Sequence, residues 1–112
     1  MVRSMLGPHE QLQIVGEAVD GSEAVHKARA LKPDLVLLDI GLPVLSGIDA
    51  AGQISKATPN AKILFVTQNK HADVMSAALS DGARGYVFKT HARRDLVPAI
   101  EAVLSGGMFV SG

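Results

Sequence analysis

The feature that most constrains the fold is an alternation of short, largely apolar runs with longer segments of helical periodicity. Residues 34–39 read Asp-Leu-Val-Leu-Leu-Asp, and residues 61–67 form a second apolar run. Such runs are typical of parallel strands buried on both faces, because helices cover both sides of a parallel sheet. With further strands predicted at residues 13–19 and 84–89, the pattern indicates a βαβα alternation and thus an α/β fold with a parallel sheet.

Helical segments separate these strands. Residues 20–23 read Asp-Gly-Ser-Glu, which resembles a capping box, and the segment after them places apolar side chains on one face, namely Ala24, Val25, Ala28 and Leu31. A second helix is predicted over residues 47–57, with Ser46 and Asp49 placed to cap it, and a third over residues 71–79. The last helix carries Leu96, Ile100, Val103 and Leu104 on one face. Pro98 lacks a backbone donor, so this helix is expected to kink there or to begin nearby.

The bulk properties favour one domain and exclude several classes of function. The chain has 112 residues, of which 47% are hydrophobic, enough for one core. Eleven basic residues balance eleven acidic ones, so no strong field draws the chain to nucleic acid or to an anionic membrane. Cysteine is absent, which excludes disulfides and thiolate chemistry. No apolar run reaches the length of a membrane span or resembles a signal peptide, so we expect a cytoplasmic protein.

Three predicted strands each end on a polar residue suited to phosphoryl chemistry: Asp39, Thr67 and Lys89. Parallel strands bring these ends to one edge of the sheet, where open α/β folds bind ligands. A carboxylate there can act as a nucleophile, a lysine can bind phosphate oxygens, and a threonine hydroxyl can donate to one of them.

Each of these residues also has a plain structural interpretation when it is taken alone. An aspartate at a strand end is commonly a cap or turn residue, threonine is a strand former, and a lysine is commonly a solvated strand end. The coincidence of all three at one edge favours the functional interpretation. The histidines show no metal-ligand spacing, and we predict His71 and His91 at surface positions near helix starts.

Taken together, these segments resemble the receiver domains of two-component response regulators, in particular those of the LuxR/NarL type. The resemblance covers nearly the whole chain and is carried by residues 15–21, 33–39, Leu42 and Pro43 with Gly47, residues 66–67, residues 81–89 and the pair Gly106 and Gly107. It implies a flavodoxin-like fold, a doubly wound parallel sheet with five strands in the order 2-1-3-4-5. It also implies that Asp39 is the phosphoacceptor, that Thr67 and Lys89 engage the phosphoryl group, and that Tyr86 is the aromatic switch residue.

The function that the resemblance implies is that of a signalling switch rather than an enzyme. A sensor histidine kinase would transfer a phosphoryl group from a phosphohistidine to Asp39, with Mg²⁺ held in part by Asp39 and the backbone carbonyl of Gly41. The sequence departs from the family pattern at its start, because nothing before Gln13 contains the first strand or the acidic pair that holds the metal. Glu10 does not fit that pair, so we expect Mg²⁺ to bind weakly. Gln68, directly after Thr67, stands where a smaller residue is common, which would reduce access for a phosphoryl donor.

The resemblance also sets expectations for domains and partners. We interpret residues 1–112 as a receiver domain that lacks its first strand, with residues 106–112 starting a linker to a transcriptional output domain. DNA would be bound only through that output domain, and no membrane partner is expected. A missing central strand would leave strand edges unpaired, so self-association through these edges or through the face of the last helix is predicted.

Two other classes of function remain open. One is a pseudo-receiver that signals through protein contacts without phosphorylation, which the missing acidic pair favours. The other is a small nucleotide- or flavin-binding enzyme of flavodoxin-like topology. The sequence contains no glycine-rich phosphate loop of the GxxxxGK type, which argues against the second class.

Overall fold

The computed structural model describes residues 19–41 and 44–111. Along the chain, these residues form α1 (Gly21–Leu31), β1 (Leu35–Leu38), α2 (Gly47–Ala57), β2 (Lys62–Thr67), α3 (Ala72–Ser80), β3 (Gly85–Phe88), a 3₁₀ turn (Lys89–His91), α4 (Ala92–Leu104) and β4 (Phe109–Val110). None of the helices in these ranges is long and apolar enough to cross a membrane.

The four strands form one parallel sheet in the order β1-β2-β3-β4. The strands predicted at residues 34–39, 61–67 and 84–89 are therefore confirmed, as is the α/β class. The predicted strand at residues 13–19 lies outside the described residues except for Val19, which lies in a bend and is 76% exposed. The position expected for the missing first strand likewise falls outside the described residues.

Helices cover both faces of the sheet and enclose two separate cores. On one face α1, α2 and α3 pack against alternate strand residues, including Ile63 and Phe65. On the other face α4 packs against Leu64, Val66 and Val87. Successive residues of β2 thus point into opposite cores, which is why the run at residues 63–66 is apolar at every position and not at every second one.

The starts of α1 and α2 follow from capping side chains. The Asp20 carboxylate accepts the N–H of Glu23 at 2.8 Å. The Ser46 hydroxyl accepts the N–H of Asp49 at 3.2 Å. Both side chains satisfy a donor that the first helical turn leaves without a backbone partner, and both predicted helix starts are confirmed.

Helix α4 begins at Ala92 and continues through Pro98, so of the two predicted alternatives, a kink at Pro98 or a start near it, the second is wrong. Pro98 is exposed, where water can bond the carbonyl that the missing N–H leaves without a helical partner. The predicted apolar faces are buried apart from their last members. Leu104 is 37% exposed and Leu31 is 45% exposed, because each is the last residue of its helix.

Strand β4 lies where the sequence analysis placed the start of a linker. Gly106 adopts φ +93° after α4, a conformation that favours glycine, and lets the chain turn back towards the sheet. The N–H of Phe109 then donates to the carbonyl of Arg84 at 3.1 Å. Because this strand has only two residues, it has no periodic pattern that the sequence analysis could detect.

Candidate functional site

Asp39 follows the last residue of β1, and the backbone around it is tightly enclosed. The N–H of Gly41 donates to Asp39 Oδ1 at 3.1 Å. The N–H of Gly47, the first residue of α2, donates to the carbonyl of Ile40 at 2.9 Å. A Cβ atom at Gly47 would overlap the Asp39 carbonyl oxygen and would lie 2.8 Å from Ile40 Cα. Only glycine at this position allows α2 to begin so close to Asp39.

Thr67 and Lys89 converge on the Asp39 carboxylate. The Thr67 hydroxyl donates to Oδ1 at 2.9 Å, and the Lys89 ammonium lies 2.6 Å from Oδ2. These contacts arise because β1, β2 and β3 are adjacent and parallel, so that their carboxyl ends share one edge. The structure therefore brings together the three residues that the sequence analysis placed at one edge.

The carboxyl group of Asp39 is held in its ionised form. Burial by itself would raise the pKa of Asp39, but hydrogen bonds from Lys89, Gly41 and Thr67 outweigh it and lower the pKa below the usual 3.8. The side chains of Asp39 and Lys89 are 29% and 41% exposed, respectively. The pair is therefore an anion and a cation that a phosphate-bearing molecule can reach from solvent.

Tyr86 is fully buried and is linked to Thr67 through one residue, Asn69. The Tyr86 hydroxyl donates to the Asn69 carbonyl at 2.7 Å, and the Asn69 N–H donates to Thr67 Oγ1 at 3.2 Å. The ring packs 6.2 Å from Phe65 and 6.0 Å from Phe88 between centroids. Burial, and secondarily the charge of Asp39, raise the pKa of Tyr86. The sequence analysis missed Asn69, although the polar run at residues 68–71 directly after β2 was a signal for it.

Phe88 carries a positively charged and a titratable neighbour. The Lys70 ammonium lies 5.5 Å from the Phe88 ring centroid, within the range of a cation–π contact. The His91 ring lies 5.7 Å from the same centroid. His91 directly precedes α4, as predicted, but it is half buried, because the 3₁₀ turn directs it towards Phe88, so the predicted surface exposure of His91 is wrong. His71 is exposed and precedes α3, as predicted.

The described residues do not by themselves fit a Mg²⁺ ion. Residues 19–41 and 44–111 contain no group of three or more His, Cys, Asp or Glu side chains that could hold a metal. Both oxygens of Asp39 accept hydrogen bonds from protein donors, and Gly41, expected as a carbonyl ligand, contacts the carboxylate through its N–H. Mg²⁺ prefers six oxygen ligands, and one carboxylate offers few of them.

Comparison with known proteins gives a consistent set of relatives. Residues 1–101 match the family described as the response regulator receiver domain. The transcriptional regulatory protein LnrK of Bacillus subtilis (strain 168) is 38% identical over 107 residues, which are 96% of this chain and 49% of LnrK. Response regulator GacA of Pseudomonas viridiflava is 34% identical over 110 residues, or 98% of this chain and 51% of that protein.

Solved structures resemble this chain over nearly its whole length. A LuxR-family two-component response regulator from Aurantimonas sp. SI85-9A1 superposes with a TM-score of 0.86 at 34% identity, covering 96% of this chain and 80% of that one. The isolated REC domain of RcsB from Salmonella enterica serovar Typhimurium, in the presence of phosphomimetic BeF₃⁻, gives a TM-score of 0.89 at 26% identity, covering 98% and 82%. The chain spans about half the length of the curated relatives it matches.

Proposed function

Because the chain belongs to the response regulator receiver domain family of two-component systems, we propose that it is a phosphoacceptor switch that accepts a phosphoryl group on Asp39. The observation that carries the proposal is the contact of one ionised carboxylate with both Lys89 and Thr67 at the carboxyl edge of the sheet. That the REC domain of RcsB has been solved with a phosphomimetic supports the same chemistry here.

The proposed reaction is an in-line displacement at phosphorus. An Asp39 carboxylate oxygen forms the new bond to phosphorus while the phosphorus–nitrogen bond of a phosphohistidine breaks. The bonding pair remains on the imidazole nitrogen. Lys89 exchanges its bond to Asp39 for bonds to phosphoryl oxygens, and Thr67 redirects its hydroxyl to one of them. These two donors stabilise the charge that spreads over the phosphoryl oxygens in the transition state.

Thr67 and Tyr86 are proposed as the switch. If the Thr67 hydroxyl moves onto a phosphoryl oxygen, the Asn69 N–H that it accepts must follow or lose its partner. The Asn69 carbonyl is the acceptor of the Tyr86 hydroxyl, so the same movement changes the environment of a buried ring. One charge placed on Asp39 thereby biases the arrangement of residues 67–71 and 86.

Receiver domains generally bind Mg²⁺, and we propose that this chain binds it weakly, since Asp39 is the one carboxylate at the described site. Titration calorimetry of Mg²⁺ into the unphosphorylated chain tests this proposal. A tight site would show that an acid outside the described residues completes the coordination.

We propose a sensor histidine kinase as the phosphodonor and a transcriptional output domain, outside this sequence, as the part that contacts DNA. LnrK is named a transcriptional regulatory protein, which supports this output.

We also propose a cytoplasmic location and self-association through strand edges or the α4 face. Light scattering across a dilution series tests the self-association, and a monomer at every concentration would contradict it.

Incubation with a small-molecule phosphodonor, with and without Mg²⁺, tests the assignment of Asp39. Intact mass should increase by one phosphoryl group in the wild type, and Asp39→Asn should abolish the increase. Asp34→Asn is the matched control, because Asp34 precedes the same strand at its opposite end and is exposed. Labelling that persists in Asp39→Asn, or that disappears in both variants, would refute the assignment.

A pseudo-receiver is the second candidate function. The lack of a metal-ligating cluster in the described part of the chain favours it. In that case the ion pair of Asp39 with Lys89 and the hydrogen bond from Thr67 would serve only to stabilise the fold. The wild type would then take up no phosphoryl group from any donor, and Asp39→Asn would lower the thermal stability.

A further inference from the structure

Ser111 connects the end of β3 to helix α4 through three hydrogen bonds that the proposed reaction does not use. Its backbone N–H donates to the carbonyl of Tyr86 at 2.9 Å. Its hydroxyl donates to Asp95 Oδ2 at 2.7 Å and accepts the N–H of Phe88 at 3.3 Å. Ser111 is 4% exposed and Asp95 is 7% exposed, so these bonds are shielded from water.

The directions of these bonds are fixed by the charge of Asp95. Hydrogen bonds from Arg94 and Ser111 lower the pKa of Asp95 to about 2, so its carboxylate can only accept. A serine hydroxyl has one hydrogen, which is therefore committed to Asp95. The oxygen lone pairs of Ser111 are left to face the Phe88 N–H. Asp95 thus orients the acceptor that holds the backbone of Phe88.

The Ser111 hydroxyl extends the hydrogen bonding of β3 beyond its last backbone pair with β4, which is Tyr86 with Val110. The group it holds, the Phe88 N–H, directly precedes Lys89, whose ammonium contacts Asp39. The 3₁₀ turn begins at Lys89 and leads into α4, the helix that carries Asp95. Phe88 is therefore connected to Asp95 in two ways: along the chain through the 3₁₀ turn, and through the hydrogen bonds of the Ser111 hydroxyl.

We infer that Ser111 and Asp95 are positioning residues that hold Lys89 in place against Asp39. The inference rests on the proposed phosphoryl transfer, in which Lys89 moves from the carboxylate to the phosphoryl oxygens. Without the Ser111 hydroxyl, the Phe88 N–H, directly before the turn that begins at Lys89, loses its acceptor. Neither Ser111 nor Asp95 contacts the reacting atoms.

The experiment compares Ser111→Ala and Ser111→Thr with Ser105→Ala. Ser105 is the control, because its hydroxyl also donates a hydrogen bond, to the Glu101 carbonyl at 2.8 Å, but at the far end of α4. In Ser111→Ala we expect amide hydrogen exchange at Phe88 to be about tenfold faster and the maximal rate of Asp39 phosphorylation by acetyl phosphate to be about tenfold lower. The half-saturating donor concentration should change less. Ser111→Thr, which retains the hydroxyl, should recover both values, and Ser105→Ala should match the wild type.

Acylation of the Lys89 amine, followed by peptide mass, gives a readout that does not depend on phosphorylation. The bond to Asp39 protects Lys89 from the reagent, so Ser111→Ala should raise its labelling towards the level in Asp39→Asn, and Ser105→Ala should not. If Lys89 labelling rises but even the wild type accepts no phosphoryl group, the positioning role stands and the proposed function fails. If labelling of Lys89 is unchanged in Ser111→Ala, the inference is overturned whatever the phosphorylation rate. Should Ser111→Ala fail to fold, Asp95→Ala, which removes the acceptor that orients the Ser111 hydroxyl, is compared with Ser105→Ala in the same two measurements.

Discussion

The close approach of α2 to Asp39 can be tested with two glycines of the same helix. Gly47 is the first residue of α2, and its missing side chain leaves room for the Asp39 backbone. A Cβ there would overlap the Asp39 carbonyl oxygen and lie 2.8 Å from both the Asp39 carbonyl carbon and Ile40 Cα. Gly52 lies in the middle of α2, and a Cβ there would have no neighbour within 4 Å.

Opposite effects on stability follow from this difference. Gly52→Ala should stabilise the protein by about 1 kcal/mol, because alanine loses less backbone entropy than glycine in a helix. Gly47→Ala should destabilise it by about 3 kcal/mol, towards the upper end for overpacking, because the atoms in the way are backbone and cannot swing aside. A loss of this size is a large part of the roughly 5–15 kcal/mol that stabilises a domain.

Thermal melts and urea titrations followed by circular dichroism measure both variants. At about 4–8 °C per kcal/mol for a domain near this size, the midpoint should rise by about 4–8 °C in Gly52→Ala and fall by more than about 10 °C in Gly47→Ala. Because the overlap is with Asp39 itself, Gly47→Ala should also impair phosphoryl acceptance, whereas Gly52→Ala should not. Equal shifts in the two variants would refute the reasoning, since helix propensity alone would then explain the data.

Three further predictions concern the surroundings of the site. Val44 has φ +69° and is 82% exposed. Val44→Gly should raise the free energy of unfolding in urea by about 1 kcal/mol, because it relieves the strain of a β-branched residue in the left-handed region and removes little packing. A less stable variant would show that the Val44 side chain makes a stabilising contact. Tyr86→Phe should lower stability by about 1 kcal/mol, because the Asn69 carbonyl loses its hydroxyl partner while the ring packing remains; a melt identical to that of the wild type would contradict the bond. The pKa of Asp95 is depressed from 3.8 to about 2 in the folded chain, so its contribution to stability is complete above pH 3.8 and is lost as the pH falls towards 2. Melting temperatures measured between pH 5 and pH 2 should therefore fall less steeply in Asp95→Asn than in the wild type.

The sequence alone determined the class of the fold and the edge at which the site lies. Continuous apolar runs such as residues 35–38, alternating with helical segments, are typical of strands in a parallel sheet that helices cover on both faces. Thr67 ends one predicted strand, and Asp39 and Lys89 end two others, so their proximity at one edge could be predicted from a parallel arrangement alone. Helix caps such as Ser46 could also be predicted from the sequence, because a capping side chain bonds a backbone N–H only a few residues further along the chain.

The tertiary structure decided everything that depends on contacts between segments distant in the sequence. Strand β4 forms because Phe109 pairs with the edge of β3 and packs against the core beneath α4. A strand of two residues has no periodic pattern from which the sequence could predict it. Asn69 gains its importance from Tyr86, 17 residues further along the chain. Likewise, the fit of Gly47 against Asp39 and the bond from Ser111 to Asp95 depend on how whole elements pack. Local patterns select helices and strands, whereas the partners of a polar group are chosen only when the elements come together.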